Sequence, residues 1–574
     1  MMQLGVSKVS FSPFLKNAAM LGFGLYKHTM KQPGELCVRA FVVENDTRKI
    51  CLVNAELAFI TLSIHQAVLN ELHEKYPHFH INQQNLVLTA QHTHSAPGGF
   101  SYYPLYNMPT PGFSEKIYRE IYTAIVQSIV EAEQNKQPGY ITFQKGSFEL
   151  DKEVAFQRSM DAYNANPDIP EKLTPQTLHK GVNREMQLLS FYNSRHEPIG
   201  SINWFGVHTT SISNNLHQVN ADNKGYAARF LEEHFASTGK NYVAAFAQGI
   251  CGDVSPRFRY KKNILKWQRG YWYGKYDDDY QSAAYNGRLQ FEKALELLEK
   301  PGRDIGTNID SEIWWIDFTN IHCHPRFANG ATDARTGEAC MGLAFFRGAQ
   351  FDGPGMPAFL VPLTKKIIAK VKKRDLAGQP PHSDVQLKYR VQGTKEILLE
   401  THVPRILGYT DFSKLPVPGF IDGSIAALKK YYKSVGSKKK VLLTPKILPI
   451  QLVLLGKLAI AAFPFEITVM AGKRLSQSLR ERLVGADIEE VILAPYANGF
   501  SGYITTYEEY QVQMYEGGHT VFGQWSLAAL QTKFDELAQE MLKPREERCI
   551  PQQEPPRATL DEMNAFPFYK KVKS

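Results

Sequence analysis

Two histidines two residues apart, His92 and His94, follow the apolar run Leu86-Val87-Leu88 and stand just before a Pro97-Gly98-Gly99 break. Imidazole is a common zinc ligand. On an extended backbone, positions i and i+2 face the same way, so both rings can reach one object. The break puts that face at a strand end, where sites of α/β proteins usually lie. His208 closes a second apolar run, Ile199 to Val207, and Ser255 sits in Gly252-Asp253-Val254-Ser255-Pro256. Glycines and a proline around Ser255 predict a tight turn that exposes its hydroxyl at a strand end, although this is not a Gly-x-Ser-x-Gly elbow. Taken singly, each has a plain alternative: loop polarity for the pair, a satisfied core residue for His208, an ordinary turn serine for Ser255. Arg158, in Phe156-Gln157-Arg158-Ser159, is by itself a surface arginine.

The elements that must position these residues are legible in the hydrophobic pattern. Val38 to Val43 and Ile50 to Val53 flank Asn45-Asp46-Thr47-Arg48 and predict a hairpin. Ser63 to Tyr76 has helical spacing and precedes the Leu86 strand, a βαβ-like order that suggests an α/β core. Glu115 to Asn135 predicts a second helix. Gln187 to Tyr192 pairs with Ile199 to Val207 across a turn, Asp222 suits the cap of a helix, and Tyr242 to Ala247 is a strand leading to Ser255. The apolar stretch Leu448 to Pro464 is broken by Gln451, Gly456 and Lys457, and reads as two buried strands around a Gly-Lys turn. The expected fold class is mixed α/β, with sheets flanked by helices in one large catalytic domain over residues 1–545 and a tail over 546–574.

Composition narrows the functional classes. A chain of 574 residues with 43% hydrophobic and 12% aromatic content has ample material for a packed core, so disorder is not the default. A net charge of +9 is mildly basic, and no Arg/Lys-rich arm interleaved with stacking aromatics reads as a nucleic-acid motif. Six cysteines without a Cys-x-x-Cys pair do not make a disulfide framework. The N-terminus lacks the basic-then-apolar order of a secretory signal and no membrane span is evident. The expectation is a mature chain, a cytoplasmic one, or one exported by a non-classical route.

With these pieces in place the sequence resembles the neutral ceramidase family. The resemblance is carried by Gln91-His-Thr-His-Ser-Ala-Pro-Gly-Gly99, Gln157-Arg-Ser159, Val207-His-Thr-Thr-Ser211, Asp222-Asn-Lys-Gly-Tyr226 and Gly252-Asp-Val-Ser-Pro256. It continues through Asp352-Gly-Pro-Gly355, Phe463-Pro-Phe-Glu466, Met470-Ala-Gly472 and Ser501-Gly-Tyr-Ile-Thr-Thr-Tyr-Glu-Glu-Tyr510, with Gln511 to Gly517 beyond. By that resemblance one zinc ion per chain falls to His92, His208, Glu466 and Tyr503. Ser255 becomes the catalytic serine, and His94, Arg158 and Tyr515 the substrate or transition-state contacts. Two imidazoles and a carboxylate are ordinary zinc ligands; a tyrosine is less usual, because free phenol ionises near pH ~10.

The activity implied is hydrolysis of the amide of ceramide to sphingosine and a fatty acid, with Ser255 attacking, or with a zinc-activated water attacking while Ser255 positions the substrate. Two alternatives are a zinc amidase for another N-acyl amine on the same scaffold and a catalytically silent lipid-binding protein. Departures from the family pattern bear on docking and substrate choice. Arg257 replaces an expected asparagine, residues 257–280 form a basic, aromatic insertion containing Trp267, Tyr271, Trp272 and Tyr273, and residues 359–440 diverge, with Lys365 to Arg374 on an amphipathic helix and Lys438 to Lys440 as a further cluster. The insertion is a candidate for peripheral membrane contact. The immunoglobulin-like domain usual at the family's C-terminus is expected to be missing.

Overall fold

Alternation along single strands builds the layers. In Leu36–Glu44, Val38, Ala40 and Val42 face one way and Phe41 and Val43 the other, and all are fully buried. A strand buried on both sides needs a layer on each. Helices Leu62–Lys75, Glu115–Gln134, Asp222–Ser237 and Asp279–Leu298 supply one layer. On the other side, Phe41 and Val43 share a core with Val453, Leu455, Ile460 and Ile492 of a second sheet. That sheet turns Leu452, Leu454, Ala461 and Leu493 outward, where helices Val469–Arg482 and Ser526–Met541 cover it. The order is helix, sheet, sheet, helix: the mixed α/β architecture expected from the pattern.

The computed structural model describes residues 2–23, 28–107, 112–261, 271–349, 351–353, 355–415, 429 and 442–564. Its first sheet runs Leu86–Ala90, Lys49–Ala55, Leu36–Glu44, Met2–Phe11, Gln137–Ser147, Glu185–Asn193, Pro198–Phe205 and Val243–Gln248, with Arg303–Asp304 paired to the fifth. The inner pairs are antiparallel, whereas the outermost pair at each edge is parallel. Each parallel edge is a βαβ unit closed by a helix, Leu62–Lys75 at one end and Asp222–Ser237 at the other. These two edges lead into the segments carrying His92, His94, His208 and Ser255. They meet beyond their strands: Thr93 bridges Thr209 in parallel, and Thr209 also donates to the Gln91 carbonyl.

The second sheet delivers two more candidates, Glu466 and Tyr503. Its strands run Ile309–Asp317, Ile447–Leu455, Leu458–Ala462 and Glu490–Ala494, the last two parallel. Just beyond them Glu466–Ile467 and Tyr503–Ile504 pair in parallel, with Glu466 directly opposite Tyr503. Asn498 ties the two sheets together: its Oδ1 accepts from Leu88 N (2.8 Å), its Nδ2 donates to Gln451 Oε1 (2.7 Å), and its own N–H donates to Leu88 O (2.9 Å).

The expected hairpins, the helices after Ser63 and Glu115, and the paired strands around Gly456-Lys457 are all present. Two local readings change. The Leu86 strand ends at Ala90, and His92 has a left-handed φ of 75°, so His92 and His94 do not converge by strand periodicity. Asp222 begins its helix, yet its carboxylate accepts from Ile212 N and Asn223 N rather than closing the helix as a side-chain cap. In the tail, Arg548 pairs with Asp310 (2.5 Å) and Met563 is buried. The Trp267 and Lys438 to Lys440 readings lie outside the described residues. No helix among those residues is long and apolar enough to cross a membrane.

Asn498→Ala should destabilise the chain by about 2–4 kcal/mol. It strips partners from the buried Leu88 N–H and Gln451 amide and leaves alanine at a φ of 58°. Urea unfolding measures this; a loss below about 0.5 kcal/mol would show that the sheets do not depend on the link.

Candidate active site

The imidazoles are oriented by their backbones. His92 donates Nδ1–H to Ala58 O (2.6 Å), and His208 Nδ1 lies 2.7 Å from Cys251 O and 3.1 Å from Val254 O. Those carbonyls hold the proton on Nδ1 and leave each Nε2 to meet a proton or a metal ion. Both Nε2 atoms face Glu466 Oε2, at 3.4 and 3.3 Å, and His94 Nε2 lies 3.1 Å from His92 Nε2. Tyr496 stacks on the His92 ring (4.2 Å) and donates its hydroxyl to Glu466 Oε2 (3.2 Å).

Ring nitrogens and a carboxylate crowded to these distances need a cation, a proton or a metal ion, among them. Burial works to raise the Glu466 pKa, but His92 and His208 outweigh it and hold the carboxyl well below its usual range. Burial, then His92 and His208, keeps His94 neutral, and burial with nearby Arg158 lowers His208. His92, His94 and His208 place one nitrogen each within 4.8 Å of the others. A buried trio of imidazoles beside an ionised carboxylate, with backbone carbonyls bracing two of the rings, fits a divalent ion such as zinc. Tyr503, opposite Glu466, accepts from Arg158 Nη2 (3.2 Å); burial and the Glu466 charge push its phenol pKa well up.

Arg158 is fully buried rather than superficial. It makes four hydrogen bonds: Nε to Glu516 Oε1 (2.8 Å), Nη1 to Asp352 Oδ2 (2.6 Å), and Nη2 to Gly252 O (2.6 Å) and to Tyr503. Asp352 Oδ1 in turn accepts from Ser255 Oγ (2.7 Å) and Thr210 Oγ1 (2.7 Å). Burial opposes ionisation of Asp352, and Arg158, with smaller help from His208 and Arg257, holds its pKa below normal all the same. The Ser255 turn does not expose the hydroxyl: the residue is wholly buried in a two-residue strand against Phe156–Gln157, and Oγ also accepts from Arg257 N (3.1 Å). Tyr515 is partly exposed beside this network, its ring 5.4 Å from Arg158 Cζ and stacked on Phe345 (4.9 Å). Its hydroxyl has no hydrogen-bond partner among the described residues.

All eight candidate residues therefore belong to one neighbourhood. The sequence reading gave no role to Asp352, Thr210, Glu516 or Tyr496. Asp352, Thr210 and Glu516 lie inside the stretches that carry the family resemblance, but nothing in their own types or spacing points to their partners; Tyr496 lies outside those stretches. An open cavity of about 340 Å³ lined by Trp204, Gly249, Ile250 and Lys473 lies apart, and none of the eight lines it.

Fold and centre define a class first: a mixed α/β protein with a buried candidate metal centre and an adjacent hydroxyl–carboxylate pair, the equipment of a hydrolase. The family follows from comparison. The model of the neutral/alkaline non-lysosomal ceramidase N-terminal region matches residues 3–406 and 423–532, and the chain belongs to that family. It is 33% identical over 539 residues to the neutral ceramidase of Pseudomonas aeruginosa, covering 93% of this chain and 71% of that one. Neutral ceramidase B of Dictyostelium discoideum is 31% identical, with 88% and 67% covered. The crystal structure of the Pseudomonas aeruginosa neutral ceramidase superposes with a TM-score of 0.73 at 30% identity, over 97% of this chain and 76% of that one. A structure of a ceramidase complexed with C2 gives 0.75 at 31%, over 97% and 77%.

Lys224, fully buried, braces the ends of the two strands that feed His208 and Ser255. Its Nζ donates to Phe205 O (2.7 Å) and Ala247 O (3.1 Å). Burial brings its pKa down to about 7. Between pH 7 and the ordinary lysine value the unfolded chain holds a proton that the folded chain does not, so this group's contribution to stability rises with pH. The stability of the wild type relative to Lys224→Met should therefore increase from pH 7 to pH 9 by on the order of 2 kcal/mol. Urea midpoints at the two pH values test this, and parallel curves would refute it.

Proposed function

We propose that the chain is a zinc-dependent ceramidase, hydrolysing the amide of an N-acyl sphingoid base to sphingosine and a fatty acid. What carries the reading is the meeting of three buried imidazoles and Glu466 next to the Ser255–Asp352 hydrogen bond, in a chain of this family. His92, His208, Glu466 and Tyr503 would hold the metal. When bound there, zinc supplies Lewis-acid polarisation of the amide carbonyl and activation of water at neutral pH.

The chain's own residues do the rest. Ser255 Oγ attacks the carbonyl carbon, and its proton passes along the existing hydrogen bond to Asp352 Oδ1. Asp352 then returns that proton to the departing amine, leaving an acyl-serine. Water takes the amine's place, gives a proton to Asp352, and its oxygen displaces Ser255, which recovers the proton. Arg158 keeps Asp352 ionised and so makes it a modest base, which is why the carbonyl must be strongly polarised. With four donors committed to protein partners, Arg158 acts by positioning Asp352, Glu516 and Tyr503. Tyr515 offers its hydroxyl, and His94 its unpartnered Nδ1, to the substrate's polar groups.

Ceramide turnover by the purified chain should vanish on chelation and return with zinc. Ser255→Ala should cost about 10³-fold or more in kcat and Asp352→Asn about 10²-fold. Near wild-type turnover in Ser255→Ala would reject the serine as nucleophile in favour of attack by water. Faster turnover of N-acyl amino acids or N-acylethanolamines than of ceramide would move the substrate class, and zinc-replete protein that binds ceramide without cleaving it would establish the silent reading.

Direct zinc titration separates the ligands from their neighbours. His208→Ala and Glu466→Gln should weaken zinc at least about 100-fold. Tyr503→Phe should weaken it less, and His94→Ala should leave affinity near wild type while slowing turnover. Loss of zinc in His94→Ala with none in Tyr503→Phe would exchange the two assignments.

A further inference from the structure

Helix Val361–Leu376 has one face on the protein and one that, among the described residues, stands exposed. Thr364 and Ile368 are buried, and Val361 and Val371 half-buried, on the inner side. On the outer side Leu363 is 58% and Ile367 37% exposed, and Phe359, in the turn before, is 79% exposed. Spacing by four puts these three on one line along the axis. Lys366, Lys370 and Lys373 are exposed on the same side, and among the described residues none has a carboxylate within ion-pair reach. Lys365 pairs with Glu396 (3.1 Å) and Arg374 with its neighbour Asp375 (3.6 Å).

The place of this helix in the fold gives the face meaning. The chain enters it from Asp352, the acceptor of the Ser255 hydroxyl. Met356 N donates to Phe346 O (2.6 Å), and the adjacent Phe345 stacks on Tyr515, so the helix springs from the edge of the candidate site. In the 257–280 insertion, Trp272 is stacked on Phe351 (3.9 Å) and Tyr273 lies 4.3 Å from the Arg259 guanidinium. Those two rings are largely spent on protein contacts; Tyr260 and Tyr276 of the same segment are exposed, but each carries a polar hydroxyl, whereas Phe359, Leu363 and Ile367 are wholly apolar and aligned.

We propose that this face docks the chain on an anionic lipid bilayer, with Phe359, Leu363 and Ile367 entering the interface and Lys366, Lys370 and Lys373 at headgroup level. Large apolar side chains lined with lysines on one side of a helix are the pattern of interfacial helices. A protein partner fits less well, because protein interfaces are depleted in lysine. The proposal deepens the ceramide reading, and rests on it only in supposing that a substrate resides in the bilayer; the docking itself stands on exposure and charge.

The test uses the whole chain and sucrose-loaded vesicles of phosphatidylcholine with or without phosphatidylserine, all free of ceramide. Wild type should sediment with the phosphatidylserine vesicles and less so as salt rises. Phe359→Ser/Leu363→Ser/Ile367→Ser and Lys366→Glu/Lys370→Glu/Lys373→Glu should each lose about tenfold or more in partitioning while keeping the wild-type melting temperature. No sedimentation of the wild type, or unchanged binding in both variants, would overturn the proposal. So would loss confined to the charge variant, or light scattering showing a wild-type dimer that the apolar variant dissolves. Since binding is read without turnover, a failure here leaves the hydrolase reading intact, and an inactive chain that still sediments counts against that reading alone.

Discussion

The structure depends on the two edges of the large sheet meeting beyond their strands. His92-Thr93-His94 and His208-Thr209-Thr210 belong to different βαβ units at opposite ends of the strand order, and the Thr93–Thr209 bridge sets them side by side. Thr209 spends its hydroxyl on the same join. Without that contact the imidazoles would project from separate edges. The second sheet repeats the device on a smaller scale, with two parallel strands extending into the Glu466–Tyr503 pairing. Two parallel junctions face each other, and Asn498 holds them in register.

Electrostatics then makes the centre specific. Burial alone would neutralise Glu466 and Asp352, yet both stay ionised because cationic or dipolar partners are packed against them. Arg158 is shared among Asp352, Glu516 and Tyr503, so one guanidinium couples the hydroxyl side of the centre to its ligand side. A buried arginine with two carboxylate partners is costly to break from either end. That shared position explains why a residue with no visible pattern of its own, in the middle of Gln157-Arg158-Ser159, occupies the middle of the network.

Much of this was legible beforehand, and for identifiable reasons. Strands such as Leu36–Glu44 and the turn at Gly456-Lys457 write their burial directly into residue type, and short-range turn chemistry limits their ends. The His-x-His spacing drew attention to the candidate centre for an incomplete reason, since the convergence comes from a left-handed His92 and a cross-edge bridge rather than from strand periodicity. Ser255 looked like a turn residue because glycines surround it; a two-residue strand against Phe156–Gln157 buries it instead. Asp352, Thr210 and Glu516 were silent because their importance lies entirely in partners far away along the chain.

The wide separation of the candidate ligands, from near residue 90 to beyond residue 500, has a consequence for biogenesis. A nascent chain lacks part of the candidate donor set until Tyr503 has been made, and both long-range junctions must close before the nitrogens face the carboxylate. Capture of an ion by this set would thereby be deferred to a late stage of maturation, and any truncation upstream of Tyr503 would leave the proposed set incomplete. Occupancy of the centre would thus report that synthesis and assembly are both finished.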